Sequence, residues 1–213
     1  MNWKLMLIGL IVAGGLNWYL HDREIRHPPG ILVAEQPRVS DTDHPPWTSV
    51  EGLRYRPLKR LSIRARLLSR NNIALGSWDH ISPVDLGLGW GSMSDSGIIE
   101  QLNIGQYNAP IGGTRFLAFS IREDAPIRRW PRARRDALFT QLTHVHAIPS
   151  DDAIGEKLAG LRPGQILTLE GQLVQIAGPR GHVILNSSLI LGDRSCEVMW
   201  VESLVLSESA VRD

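Results

Sequence analysis

Residues Trp3 to Leu20 read as an almost uninterrupted apolar run in which Lys4 is the only charge. About 18 apolar residues is near the minimum that spans the hydrocarbon core of a bilayer. No later stretch of the chain is comparably long and apolar. The run therefore predicts a transmembrane anchor over 3–20 followed by a water-exposed domain. A cleaved signal peptide is the rival reading, with Lys4 as the charged region, Leu5 to Val12 as the apolar core, and Ala13 and Gly15 as the small residues before a cut. Apolar character continues past Gly15 to Trp18, Tyr19 and Leu20, and Trp3 stands at the other end. Those are positions of interfacial aromatics, so a retained anchor is favoured. Lys4 and the very short tail before it place the amino terminus inside, although Arg23 and Arg26 weaken the bias. The domain is then expected outside the cytoplasm.

The chain has 213 residues and a formal charge of +1, so no global field draws it to nucleic acid or anionic lipid. One cysteine, Cys196, rules out a disulfide scaffold and any Cys-rich zinc or iron–sulfur site within one chain. The segment 21–57 reads as a proline-rich spacer, carrying Pro28, Pro29, Pro37, Pro45 and Pro46. Within it Ile31, Leu32 and Val33 could pack on a partner or on the domain itself. Residues 58–207 form one β-rich domain, and 208–213 a tail.

Inside that domain, Leu61, Ile63, Ala65 and Leu67 alternate with Ser62, Arg64 and Arg66, the period of a strand with one wet face. Glycines 87, 89 and 91 alternate with Leu86, Leu88 and Trp90, which predicts a loop or irregular extended segment over 78–91, because each glycine is costly within a helix. Ser94 or Asp95 caps a short helix running to about Leu102. A strand is expected over 114–121 and a helix over 150–161, with Ser150 as N-cap. The C-terminal third reads as three strands, 165–176, 182–190 and 196–206, joined by turns into an antiparallel meander. The fold class is α+β, mostly β: an N-terminal transmembrane helix followed by one antiparallel domain, with a small closed barrel of OB type as one version of it.

Several groups of residues could carry chemistry. His144 and His146, two apart on a strand, put both imidazoles on one face, an arrangement suited to one metal ion. His80 and Asp85 could complete that set, giving a metal-dependent hydrolase as one reading; the other has them as polar loop residues and a core histidine. Cys196 at the start of a strand reads as a small buried hydrophobe. No nucleophile elbow, P-loop or dinucleotide fingerprint is present. Arg64 and Arg66 lie in one basic region, and Arg128, Arg129 and Arg132 in another around Trp130, so an anion, nucleic-acid or lipid-headgroup site is a further reading; a solvated strand face is the plainer one. Finally, Trp78, Asp79, His80, Asp85 and Trp90 sit on or beside a glycine-permissive backbone and form a candidate partner-binding segment. The competing account makes Leu86, Leu88 and Trp90 a plug for the β domain.

The strings Asp79-x-Ile-Ser-Pro-Val-Asp-Leu-x-Leu-Gly-Trp-Gly-x-Met-Ser-Asp95, His146-x-Ile-Pro149 and Cys196-Glu-Val-x-Trp-Val-Glu202 resemble a family of uncharacterised single-pass proteobacterial membrane proteins. That resemblance implies a bacterial inner-membrane setting and carries no activity. Taken together, the sequence predicts a single-pass inner-membrane protein with a periplasmic domain. Its role is expected to be that of a non-enzymatic accessory or scaffold subunit that binds another membrane or envelope protein. No cofactor and no nucleic-acid partner are expected.

Overall fold

In the computed structural model the described residues are 3, 6–10, 12, 14–15, 23–49, 52–73, 80–108 and 115–207. The alternation around Leu61 belongs to a single long strand, β3 (Arg54–Asn72), which follows two short ones, β1 (Arg38–Ser40) and β2 (Trp47–Thr48). The next strands in the chain are β4 (Val84–Gly89), β5 (Leu102–Asn108), β6 (Arg115–Ile121) and β7 (Leu142–Pro149). After a helix over Asp152–Ala159 come β8 (Ile166–Ala177), β9 (Val183–Asn186) and β10 (Cys196–Leu206).

Five of these strands close a barrel. β3 pairs antiparallel with β4, β4 with β7, and β10 with β8, while β7 and β10 run parallel. The circuit shuts because β3 also pairs with β8, from Arg54–Ala177 to Arg66–Ile166. One strand can serve two neighbours because it bends: its register slips between Pro57 and Lys59 on the β8 side and between Leu67 and Ser69 on the β4 side, and such irregularities sharpen local twist. Closing the sheet removes its edges. Five strands in a closed circuit with one helix between the third and fourth is the OB type of small barrel.

Period-2 patterning sorts the side chains. Leu61, Ile63, Ala65 and Leu67 of β3, Leu86 and Leu88 of β4, Val145 and Ala147 of β7, Leu167 and Leu169 of β8, and Met199 and Val201 of β10 share one buried cluster. The helix adds Ile154 and Leu158 to it. Asp151 starts that helix, its Oδ1 accepting the Ile154 N–H at 2.8 Å; the cap is therefore one residue later than Ser150. The β5–β6 hairpin forms a separate two-stranded sheet, paired from Leu102–Ile121 to Asn108–Arg115. It lies over the outer side of β4: a Cβ built on Gly87 would meet Ser69 Oγ at 2.5 Å and Leu117 Cδ1 at 2.9 Å.

Several expectations are corrected. No helix among the described residues is long and apolar enough to cross a membrane. Of the 3–20 stretch only 3, 6–10, 12, 14 and 15 are described, all helical and exposed; its remainder lies outside the described residues. The transmembrane helix, the single membrane span and the single-pass inner-membrane location with a periplasmic domain are thereby unsupported. The domain is not wholly antiparallel, since β7 and β10 pair parallel. Nor are the last three strands a meander, because β8 lies between β10 and β9. The glycine segment is a regular strand: Val84–Gly89 is buried on both faces, with leucines toward the barrel, Gly87 under the hairpin and Gly89 against Leu68 and the Met93 backbone. The 208–213 tail lies outside the described residues.

The proline-rich 23–48 segment runs along the barrel. Ile25 N–H donates to Pro163 O at 2.8 Å, and β1 pairs antiparallel with β3 at Arg38–Ser62. Ser94 Oγ accepts the Leu32 and Val33 N–H groups at 3.1 and 3.0 Å, and Val33 is fully buried.

Candidate metal centre

Three strands of the barrel carry polar side chains on their outer side at adjacent register positions. On β7 the i, i+2 spacing puts His144 and His146 on that side together. Asp85 of β4 is the cross-strand partner of His146, and Cys196 of β10 is the partner of His144. Gly87 stands opposite His144 on the β4 side and leaves room for the hairpin above. Arg115, the last residue in the β5–β6 ladder, closes the group from the hairpin.

Asp85 is 1 % exposed and is the hub. Its Oδ1 accepts from His146 Nδ1 at 2.8 Å. Its Oδ2 lies 3.3 Å from Arg115 Nε and 3.8 Å from His144 Nε2. Arg115 is itself held in place, Nη1 donating to Ser82 O at 2.9 Å. On the far side, His144 Nδ1 is 3.2 Å from Cys196 Sγ, which in turn donates to Arg115 O at 3.6 Å. The two imidazoles cross edge to face, with centroids 4.7 Å apart. Asp85 Oδ2 and His144 Nε2 are buried without a hydrogen-bond partner, an arrangement native interiors normally avoid.

Burial sets the protonation states. It holds the His144 imidazole down to about 4, with His146 and Arg115 adding to the effect and Asp85 opposing it. Burial likewise pushes the Cys196 thiol up to about 11, assisted by the negative charges of Glu197 and Asp85. At neutral pH the pair is therefore a neutral imidazole beside a protonated thiol. A catalytic cysteine needs a depressed pKa, so this is a poor nucleophile–base couple despite its 3.2 Å separation. A neutral imidazole is, by contrast, the form that ligates metal, and a metal ion deprotonates a coordinating thiol outright.

His144, His146 and Cys196 each offer one donor atom, all within 4.8 Å of one another. A tetrahedral zinc centre needs donors about 3.3–3.8 Å apart, given its N and S bond lengths; the His144–Cys196 pair, at 3.2 Å, would have to open by a few tenths of an ångström and the widest pair, at up to 4.8 Å, to close by about one. The Asp85 bond to Nδ1 of His146 leaves Nε2 as that ring's donor. It is the carboxylate–histidine contact that orients metal-ligating imidazoles.

The structure brings together three of the four residues expected for a metal set, Asp85, His144 and His146, and gives Asp85 an orienting place behind the donors. His80 is exposed in the turn before β4 and is not among the converging donors. Cys196 takes the place assigned to it. Of the partner-binding set, Trp78 and Asp79 lie outside the described residues, whereas Asp85 and Trp90 are both buried at 1 % exposure and offer little to a partner. Trp90 belongs to the barrel core, its Nε1 donating to Gln36 Oε1 at 2.9 Å.

The anion-binding set is dispersed. Arg64 pairs with Glu35 at 3.2 Å, and Arg132 with Asp136 at 3.4 Å. Arg66 is buried, donating to Ser96 Oγ at 2.8 Å and lying 3.4 Å from Glu24. Arg128 and Arg129 are exposed on a short helical turn. Sequence reasoning missed Cys196 and Arg115, because only the β7–β10 pairing and the hairpin's placement bring them to the histidines.

No family model matches the chain, and neither a curated protein nor a solved structure does.

Proposed function

We propose that this barrel is a metal-binding domain that holds one zinc-class divalent ion through His144, His146 and Cys196, and that it serves a metal-assisted hydrolytic reaction. The observation that supports this is the meeting of two buried imidazoles and a thiol around one buried carboxylate. A mixed nitrogen and sulfur donor set suits zinc. Structural zinc sites are closed by four protein ligands, whereas catalytic ones use three and keep a position open. Here three donors adjoin a cavity that His144 and Cys196 help to line. An ion in that position supplies Lewis acidity. Asp85 fixes the His146 ring, and Arg115 of the hairpin balances the Asp85 charge. This reading replaces a protein-binding role for the 78–95 segment, because Asp85 and Trp90 of that segment are buried.

Elemental analysis of protein purified without chelator tests it. One zinc per chain is expected, falling to a few per cent in His144→Ala and in Cys196→Ser. Metal content no higher in the parent protein than in the two variants would sink the proposal.

A further inference from the structure

The cavity beside the donors has a volume of about 220 Å³ and a sorted lining. His144 and Cys196 form part of its wall, Phe116, Phe119 and Phe139 supply aromatic surface, and Arg194 contributes the one cation. Phe119 and Phe139 stack at 4.2 Å between centroids, and the Arg194 guanidinium lies 3.9 Å from the Phe139 centroid on that ring's face.

Arg194 is unusual in two further ways. It is the only non-glycine among the described residues with positive φ, at 71°. A long side chain in the left-handed region costs backbone energy and persists where the surroundings or function require it. It also has no acidic partner among the described residues. The neighbouring Asp193 is occupied by its own loop, Oδ1 accepting the Ser195 N–H at 2.8 Å and Oδ2 the Ser188 hydroxyl at 3.1 Å. The loop is set firmly: a Cβ on Gly192 would meet the Thr140 backbone at 2.7 Å.

We propose that this cavity seats a single-ring aromatic carboxylate, its ring against the three phenylalanines and its carboxylate on Arg194. The chemistry of the lining selects each part. Aromatic walls favour a flat apolar body through offset and edge-to-face contacts. Arg194 is the one Lys or Arg in a lining whose other polar members include Thr143 and Ser195, so it matches one negative charge, and its planar fork suits a carboxylate. The volume lies below the ~300 Å³ at which pockets for drug-sized molecules begin, which limits the guest to about one ring. The inference rests on the metal reading for what adjoins the ligand's far edge, where His144 and Cys196 lie.

Titration calorimetry of the zinc-loaded full chain with benzoate, benzyl alcohol and acetate separates the contributions of ring and charge. Benzoate should bind at least tenfold more tightly than either of the others. Arg194→Gly suits its φ of 71° and should keep the melting temperature or raise it, hold the zinc content unchanged, and weaken benzoate at least tenfold. Equal binding of the three compounds, or benzoate binding undiminished in Arg194→Gly, overturns the cavity assignment and leaves the metal reading intact. Benzoate selectivity in a chain that takes up no zinc supports the cavity assignment and overturns the metal reading.

Discussion

Asp85 and His146 lie 61 residues apart in the chain and 2.8 Å apart in the barrel, a carboxylate on one strand fixing an imidazole on the next. The same carboxylate neutralises Arg115, so one side chain both orients a donor and keeps a buried cation paired. Asp85→Asn should lose about 3 kcal/mol of stability, because Arg115 is left as a buried, unpaired charge. Adding Arg115→Met should recover at least half of that in urea melts. Zinc affinity should stay roughly 10–100-fold below the parent in both variants, since the orienting contact is gone. Full recovery of zinc affinity in the double variant would count against the orienting role.

Zinc binding should release one proton from Cys196. The thiol, raised to about 11, is protonated at neutral pH, whereas His144, held near 4, has already lost its proton. Apparent affinity should therefore climb about tenfold per pH unit between roughly pH 7 and 9. Competition titrations against a chromophoric chelator measure the slope, and Cys196→Ala should flatten it.

Glu197 points the other way from its neighbour Cys196, into the end of the barrel, where it is fully buried and accepts from the Thr143 hydroxyl. Burial pushes its carboxyl up to about 8, against the lowering effect of that hydrogen bond. Because the folded value lies above the ordinary one, Glu197 contributes its full share of stability below about pH 4.5, and that share is lost as pH rises through about 8. The loss by pH 9 is on the order of 3–5 kcal/mol. Glu197→Gln should match the parent near pH 4.5 and exceed it increasingly toward pH 9. Parallel stability curves for the two proteins would refute the neutral buried carboxyl.

Ser94 is the clasp of the N-terminal strap. Its hydroxyl oxygen accepts from Leu32 and Val33 and donates to Gly91 O at 2.7 Å. Ser94→Ala leaves two amides without an acceptor and should cost roughly 1–3 kcal/mol. Amide exchange at Leu32 and Val33 should accelerate well beyond that of the β3 core. Uniform acceleration across the domain would show that the strap and barrel open together.

Much of the fold was legible where one periodicity governs one face. The Leu61–Leu67 alternation marked the long strand, and the polar start at Ser150 marked the helix to within one residue of its Asp151 cap. The Val84–Gly89 strand was not, because both its faces are buried and the glycine alternation that accommodates the hairpin also resembles loop composition. The spacing of His144 and His146 announced a shared face. Cys196 gave no such signal: a cysteine opening a strand reads as a small apolar residue until its parallel partner is known. The apolar run at 3–20 predicts a membrane span by hydropathy alone, and no helix among the described residues meets that requirement.

The parallel register of β7 with β10 has a consequence for synthesis. His144 and His146 leave the ribosome some 50 residues ahead of Cys196, whose strand is the last piece of the barrel to emerge. Until then β7 presents an open, apolar edge, and long-range pairing of this kind is slow to form and exposed to aggregation. The donor set proposed for zinc gains its sulfur only once that last strand has been made. Zinc held through all three of the proposed donors would therefore report a finished barrel.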